Sequence, residues 1–229
     1  KYKLIINCNP KHKLTIKFFS KKIEKTYNSY AYTTIINHKK TVNKTAFQNF
    51  TNNGPIAFLP ISATQTSVVY SMRVKKNNID DVKILIKKYN PKYSIIKIND
   101  CNRFELKASN LRKYYKNNIL AFGDLLHKIH PLAGQGFNMS IRDIKLLSDL
   151  IDQRINLGLD IDYKLCIEFQ KNSKNRNYIF STGIDWIYEL FSFESKINSN
   201  LLSKSINLIG KNKLLNSYLK KFADAGIRN

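Results

Sequence analysis

The residues whose types and spacing could do chemistry lie together at 119–138, in the string ILAFGDLLHKIHPLAGQGFN. The wholly apolar run 119–122 predicts a short buried strand, and it ends in Gly123 and Asp124. A loop with Pro131 follows. Gly134, Gln135 and Gly136 then open an amphipathic segment predicted as a helix over 137–151. Physically this describes an anion and cofactor site. Glycines let a ligand approach the backbone closely. Free N–H groups and the positive dipole end of a helix favour negative charge. A carboxylate at the C-terminal end of a strand can accept hydrogen bonds from sugar hydroxyls. Two turn glycines alone would describe a plain strand–loop–helix connection; the cofactor reading rests on the whole string.

Other constellations carry less. His127 and His130 sit three apart, with Asp124 three before, a spacing that could present metal ligands on one helical face. Pro131 and the glycines make the segment a loop, and no further His or Cys is close in sequence, so no metal site is expected. There is no GxSxG, and Gly210-Lys211 lacks the upstream glycine of a P-loop. Phe58, Tyr70, Trp186, Tyr188 and Phe191 could line an apolar cavity, although such residues are more often core. No side chain stands out as a catalytic acid or base.

The elements that must position the string come from periodicity. A strand is predicted over 3–9, stopped by Pro10, followed by a basic mixed segment to about Lys25. Strands are predicted over 29–37, 45–50, 55–61 and 66–74, with Asn52-Asn53-Gly54 as a turn, and this succession suggests an antiparallel meander. Over 80–89 the period changes to that of a helix, with Asp80 and Asp81 at its start. Strands return over 93–98 and 103–107. After the string, helices are predicted over 163–175, 184–193 and 214–222. No internal repeat or low-complexity linker is present.

The string GDxxHxxHPxxGQGxN at 123–138 resembles the second flavin-binding motif of the FAD-dependent aromatic hydroxylases. The fuller form HPLAGQGFN, with Arg142-Asp143 in the helix after it, is most similar to the ubiquinone-biosynthesis type, the 2-polyprenyl-6-methoxyphenol hydroxylase family. The similarity extends to AFQNFT at 46–51, GPIAFLP at 54–60, SVVYS at 67–71 and Gly183-Ile184-Asp185, and covers most of residues 30–229. The resemblance implies that Gly123 and Asp124 meet the ribityl and pyrophosphate part of FAD. It implies that Pro131, Gly134, Gln135, Gly136, Phe137 and Asn138 lie against the isoalloxazine ring. Two departures stand out. The family opens with a strand and GxGxxG for the ADP half of FAD, whereas all eight glycines here lie at or after Gly54. The family's Asp-Gly motif should fall near Asn9-Pro10, where both the acid and the glycine are missing.

The fold implied is α+β: an aromatic-hydroxylase-type FAD-binding fold lacking its first βαβ unit, with an antiparallel substrate sheet and C-terminal helices. Residues 1–25 would be a remnant of the FAD domain, 26–100 the substrate domain, 101–160 the return to the FAD domain and 161–229 the C-terminal helices. The reaction implied is hydroxylation of a polyprenylated phenol in ubiquinone biosynthesis. It would run through a flavin hydroperoxide, with molecular oxygen as co-substrate, NAD(P)H or another donor as reductant and other ubiquinone-biosynthesis proteins as neighbours. Two rival readings stay open: an inactive or partner-dependent fragment of the FAD fold, and a basic module for membrane or nucleic acid.

Composition bounds these readings. The chain has 229 residues, 43% hydrophobic and 12% aromatic, enough for a sizeable core. The formal net charge of +23 comes mainly from Lys scattered among Asn and Ile. Those three share AT-rich codons, and Arg, the better reader of phosphates and base edges, is sparse, so no nucleic-acid partner is expected. Cys8, Cys101 and Cys166 are far apart with no CxxC pair, which fits a reducing cytoplasm. No apolar run approaches the length of a bilayer span, and no signal-peptide pattern precedes the first strand. The chain opens at Lys1 straight into an apolar run, as expected of the second half of a longer protein. The Lys-rich surface, and the segment 201–222 with apolar positions between lysines, suit peripheral contact with the inner face of an anionic membrane.

Overall fold

A computed structural model describes residues 2–51, 53–73, 79–130 and 135–197. In chain order the elements are β1 (Ile5–Asn7), α1 (Lys13–Phe18), β2 (Lys22–His38), β3 (Phe47–Thr51), β4 (Gly54–Pro60) and β5 (Gln65–Arg73). Then come α2 (Ile79–Lys88), β6 (Ile95–Ile98), β7 (Asn102–Leu111), β8 (Tyr115–Lys116) and β9 (Ile119–Ala121). A 3-10 turn at Gly123–Leu125, β10 (His127–Lys128), α3 (Gln135–Asn156) and α4 (Tyr163–Ile197) complete the order. The chain divides into two compact units, Thr26–Leu106 and the remainder, Lys1–Lys25 with Lys107–Asn229.

The unit Thr26–Leu106 is an antiparallel sheet. β2 pairs with β5 from Ser29↔Arg73 to Asn37↔Gln65, β5 with β4 and β4 with β3. The predicted meander is therefore present, and its period of two buries one face. Tyr32, Ile36, Ile56, Phe58, Val68, Tyr70 and Met72 are sealed there with Val82 and Ile86 of α2. Gly54 closes the β3–β4 hairpin with φ +131, and a Cβ there would lie 2.1 Å from the Ser71 carbonyl oxygen. Only glycine fits that turn. β2 starts at Lys22 rather than Ser29, because its first residues are polar and carry no apolar alternation.

The remaining unit contains a small sheet in the order β1-β9-β8 and two long helices. Its core gathers Phe19, Leu120, Phe122, Leu126, Leu147, Leu150, Leu165 and Phe169. α1 falls inside the segment read as mixed; it is only 6 residues long and is capped by the His12 ring, which accepts from the Leu14 N–H. α3 runs five residues past its predicted end and stops at Gly158, whose φ is +66. There Gly158 N–H donates to the Ile155 carbonyl and Leu159 N–H to the Arg154 carbonyl, satisfying the last open acceptors of the helix.

The two helices predicted over 163–175 and 184–193 are one, α4, of 35 residues. The polar stretch 170–177, which runs across the predicted end of the first, reads as a break because Asn and Ser favour turns. Here those side chains bond onto the helix or its neighbour. Ser173 Oγ donates to the Phe169 carbonyl, Asn172 to the Glu168 carbonyl and Asn177 to Asp143. Phe169, Ser173, Asn177, Phe180, Ile184 and Tyr188 keep one buried stripe continuous through the join. The helix predicted over 214–222 lies outside the described residues. Among those described, no helix is long and apolar enough to cross a membrane.

Candidate functional site

β1 and β9 run parallel, with Ile5 beside Ile119 and Asn7 beside Ala121. Their C-terminal ends therefore leave on the same edge, where Phe122 N–H donates to the Asn7 carbonyl at 3.0 Å. Parallel α/β sheets bind ligands outside the carboxyl ends of their strands. This edge carries both the Asn9-Pro10 turn and Gly123-Asp124.

Gly123 has φ +63, which L side chains rarely adopt, and a Cβ there would meet nothing within 4 Å. The glycine is required by backbone conformation and leaves open space beside it. Leu126 N–H closes the turn on the Gly123 carbonyl at 2.9 Å, and Asp124 is exposed at its tip. On the β1 side a side-chain network holds the turn at Asn9-Pro10. Asn7 Oδ1 accepts from Asn9 N–H, and Asn7 Nδ2 donates to Thr15 Oγ1 at 2.7 Å. Thr15 Oγ1 in turn donates to the Asn9 carbonyl, and Asn9 Oδ1 accepts from Lys11 N–H. Positive φ occurs at Asn28 and Asn117 among the non-glycine residues described, and not at Asn9 or Pro10. The turn is built without a glycine.

The second half of the string opens α3, which contacts the 3-10 turn. Pro131 and Gly134 lie outside the described residues. Gln135 starts the helix with its Oε1 buried and without a hydrogen-bond partner among the described residues. A Cβ on Gly136 would sit 3.6 Å from the Ile129 side chain, an ordinary contact. Phe137 is 74% exposed and Asn138 half-buried, while Met139 is fully buried and anchors the first turn. The structure thus brings Gly123, Asp124, Gln135, Gly136, Phe137 and Asn138 onto adjoining elements.

Sequence reasoning missed a polar cluster beneath this site. Asp143 is fully buried on α3, and its Oδ2 meets Nε2 of buried His127 at 2.8 Å. Asn177 Nδ2 of α4 donates to Oδ1 at 3.0 Å and Oδ2 at 3.1 Å. Arg176 Nη2 lies 4.0 Å from Oδ1. A signal was present: Asp143 falls midway between Met139 and Leu147, at the four-residue spacing of the buried face. Burial pushes the Tyr114 phenol well above its ordinary range, and the Asp143 carboxylate adds to that. Burial also lowers the Arg142 guanidinium, with Arg176 as the next cause; Arg142 lies 4.2 Å over the Phe180 ring.

The remaining candidates resolve differently. His130 is fully buried and stacks on Tyr188 with ring centroids 4.1 Å apart. Among the described residues, no three His, Cys, Asp or Glu side chains gather as a metal site. Phe58 and Tyr70 belong to the sealed core, and Trp186 is 67% exposed; the side chain of Phe191 lies outside the described ones. An open cavity of about 590 Å³ in the sheet unit is lined by polar groups that include Thr33, Ser67, Lys97, Asn99 and Asp100. It contains none of the site residues expected from sequence.

Comparison with known proteins agrees with the motif. The FAD binding domain family matches residues 19–156. The chain is 29% identical over 154 residues to the 3-demethoxyubiquinol 3-hydroxylase of Escherichia coli, covering 64% of this chain and 39% of that protein. It is 25% identical over 194 residues to the mitochondrial ubiquinone biosynthesis monooxygenase COQ6 of Danio rerio, covering 66% of this chain and 40% of the relative. The chain thus spans about two fifths of the length of these relatives. Among solved structures, p-nitrophenol 4-monooxygenase PnpA from Pseudomonas putida superposes with a TM-score of 0.71 at 13% identity, over 99% of this chain and 60% of that one. The anhydrotetracycline hydroxylase OxyS from Streptomyces rimosus gives 0.65 at 13% identity, over 97% and 46%. At that identity the likeness is one of fold.

Proposed function

This chain belongs to the FAD binding domain family, and from that premise we propose that it forms the flavin- and substrate-facing part of an FAD-dependent monooxygenase of ubiquinone biosynthesis. The observation that carries the reading is the edge of the β1/β9 pair. There Gly123 and Asp124 stand at the carboxyl ends of parallel strands, and the next helix opens with Gln135 and Gly136 beside them. The residues fit the cofactor. A glycine in the left-handed region borders open space, a carboxylate is exposed, and the buried Gln135 Oε1 lacks a partner among the described residues. Asp124 would accept hydrogen bonds from the ribityl chain. Gln135, Gly136, Phe137 and Asn138 would border the isoalloxazine ring; Pro131 and Gly134, assigned to the same contact, lie outside the described residues. Backbone N–H groups at the start of α3 would stabilise negative charge on the ring. FAD, when bound, supplies the activation of oxygen; the protein orients the ring to be hydroxylated and excludes water.

The substrate in this reading is a phenol with a polyprenyl tail, the class that the resemblance of the 123–138 string implies, and the sheet unit receives it. Because Phe58 and Tyr70 face α2, the face left for a substrate is the opposite one, with Thr33, Ala57 and Val69 half-buried in register. The unit Thr26–Leu106 is accordingly the substrate domain and the remainder the FAD-binding part. NAD(P)H or another donor reduces the flavin. Lysine-rich surface holds the protein against anionic lipid, at up to about 1 kcal/mol per well-placed Lys; the segment 201–222, also assigned to that contact, lies outside the described residues. Co-sedimentation with anionic vesicles at low and high salt tests this, and absence of binding at low salt ends the membrane assignment.

A second reading, a fragment that needs a partner, has its own support. β1 is an edge strand of its sheet, and no GxGxxG occurs in the chain. Fluorescence titration of the 229-residue chain with FAD is expected to show weak binding. Submicromolar affinity would show that the ADP-binding unit is dispensable. The function itself is tested in a protein that also carries that unit, by assaying hydroxylation of a polyprenylated phenol; flavin binding without any phenol turnover would refute the substrate class.

A further inference from the structure

The cluster around Asp143 has a role that packing alone does not require. A fully buried carboxylate is costly unless it is paired and hydrogen-bonded, and an apolar residue would fill the same place between Met139 and Leu147. Instead Asp143 joins three elements: His127 on β10, its own helix α3, and Asn177 on α4. β10 and α3 are the described elements on either side of residues 131–134, and the link holds these two elements together.

We propose that Asp143 is a positioning residue, which holds His127 as the Nε2–H tautomer and pins α3, two turns after its start, to α4. The tautomer follows from the surroundings. Among the described residues, the charged or titratable groups facing the carboxylate are Arg176 at 4.0 Å, Arg142 on the neighbouring position, the Tyr114 phenol and His127 itself. A proton on Nδ1 of His127 would be a buried donor with no acceptor among the described residues. His127 therefore donates from Nε2 and keeps a lone pair on Nδ1, an atom that is buried and has no hydrogen-bond partner among the described residues. Asp143 does not touch cofactor or substrate. It acts on the site through the helix whose start carries Gln135 and Gly136, and in that consequence the inference rests on the flavin reading above.

Nitrogen-15 NMR of the imidazole groups in the full chain at neutral pH tests the first half without any substitution. An unprotonated Nδ1 and a protonated Nε2 on His127 are expected; an imidazolium or the opposite tautomer overturns it. Amide hydrogen exchange tests the second half. Asp143→Asn keeps the shape but turns an amide N–H2 towards one of the two donors. Exchange over 139–143 should rise about tenfold, the loss of one charge-assisted hydrogen bond, with little change over 150–156. Asn177→Ala, which leaves the His127–Asp143 pair intact, should shift the same amides less. A uniform rise along α3, or no rise, makes Asp143 an ordinary packing residue. FAD titration of the Asn177→Ala variant of the complete protein separates the two claims. If exchange rises locally while FAD affinity stays as in the parent, the flavin is misplaced and the positioning role stands.

Discussion

The sealed face of the sheet unit and the open β1/β9 edge of the other unit solve opposite problems. The sheet face is apolar and fully buried: Ile36, Ile56, Phe58, Val68 and Tyr70 all have no exposed surface. Each position there could be read as a contribution to stability. The β1/β9 edge holds a glycine in the left-handed region, an exposed carboxylate and a buried amide oxygen without a partner among the described residues. Gly123 serves its turn, whereas the exposed carboxylate and the unpartnered amide oxygen add nothing to packing, and on these two the proposed ligand contact rests.

Substitutions should divide along that line. Phe58→Ala is expected to have the largest effect, a loss of about 3–5 kcal/mol in urea unfolding, because it empties a packed site in the core. A loss below about 1 kcal/mol would mean that the face is not sealed in solution. Asp124→Ala should change stability by less than about 0.5 kcal/mol. In the complete protein it should nonetheless lower FAD occupancy tenfold or more, the loss of a charge-assisted hydrogen bond of about 1.5–3 kcal/mol. Unaltered flavin content would remove the reason for placing Asp124 at the cofactor. Asp143→Ala, at first sight a control on the next helix, is not a neutral one, since it strands His127 and Asn177 in the interior.

Gly136→Ala should give a smaller effect of opposite sign in the two measurements. The position is helical and the added methyl meets only Ile129 at 3.6 Å, so melting temperature should rise with a gain of up to about 1 kcal/mol. FAD affinity should fall if the flavin approaches that backbone, and a rise in both would place the ring elsewhere. The smallest effect concerns the thiols. Cys8 is exposed, Cys101 intermediate and Cys166 buried. Burial pushes the Cys166 thiol up to about 11 and raises that of Cys101 as well. A thiol-reactive dye at pH 8 should label Cys8 first, Cys101 next and Cys166 only on unfolding. The sign at alkaline pH follows: the neutral thiol of Cys166 is the form the fold accommodates, so its contribution is intact at neutral pH and is lost as pH rises towards about 11. Early labelling of Cys166 would show that the core of the FAD-binding unit opens readily.

Much of this arrangement was legible in the residue order. Period-two alternation marked the meander, and the 123–138 string marked the strand–turn–helix with its glycines, because those features depend on neighbours in the chain. Elements whose stability comes from distant partners were not legible. The polar first residues of β2 carry no alternation, and α1 is too short to show a period. The join within α4 reads as a break until Asn177 and Ser173 are seen to bond into the structure.

The amino-acid order by itself determined where a strand, a left-handed glycine turn and a helix start follow one another, since such turns and starts demand particular residues locally. It determined too which strand faces are apolar. Only the tertiary structure decided that Phe58 and Tyr70 face α2, that side chains of Asn7 and Asn9 hold the turn after β1, and that Asp143 lies beneath the candidate site. Those outcomes depend on which side of an element meets another, and a buried carboxylate is tolerable only where His127, Asn177 and Arg176 arrive from elsewhere in the chain to meet it.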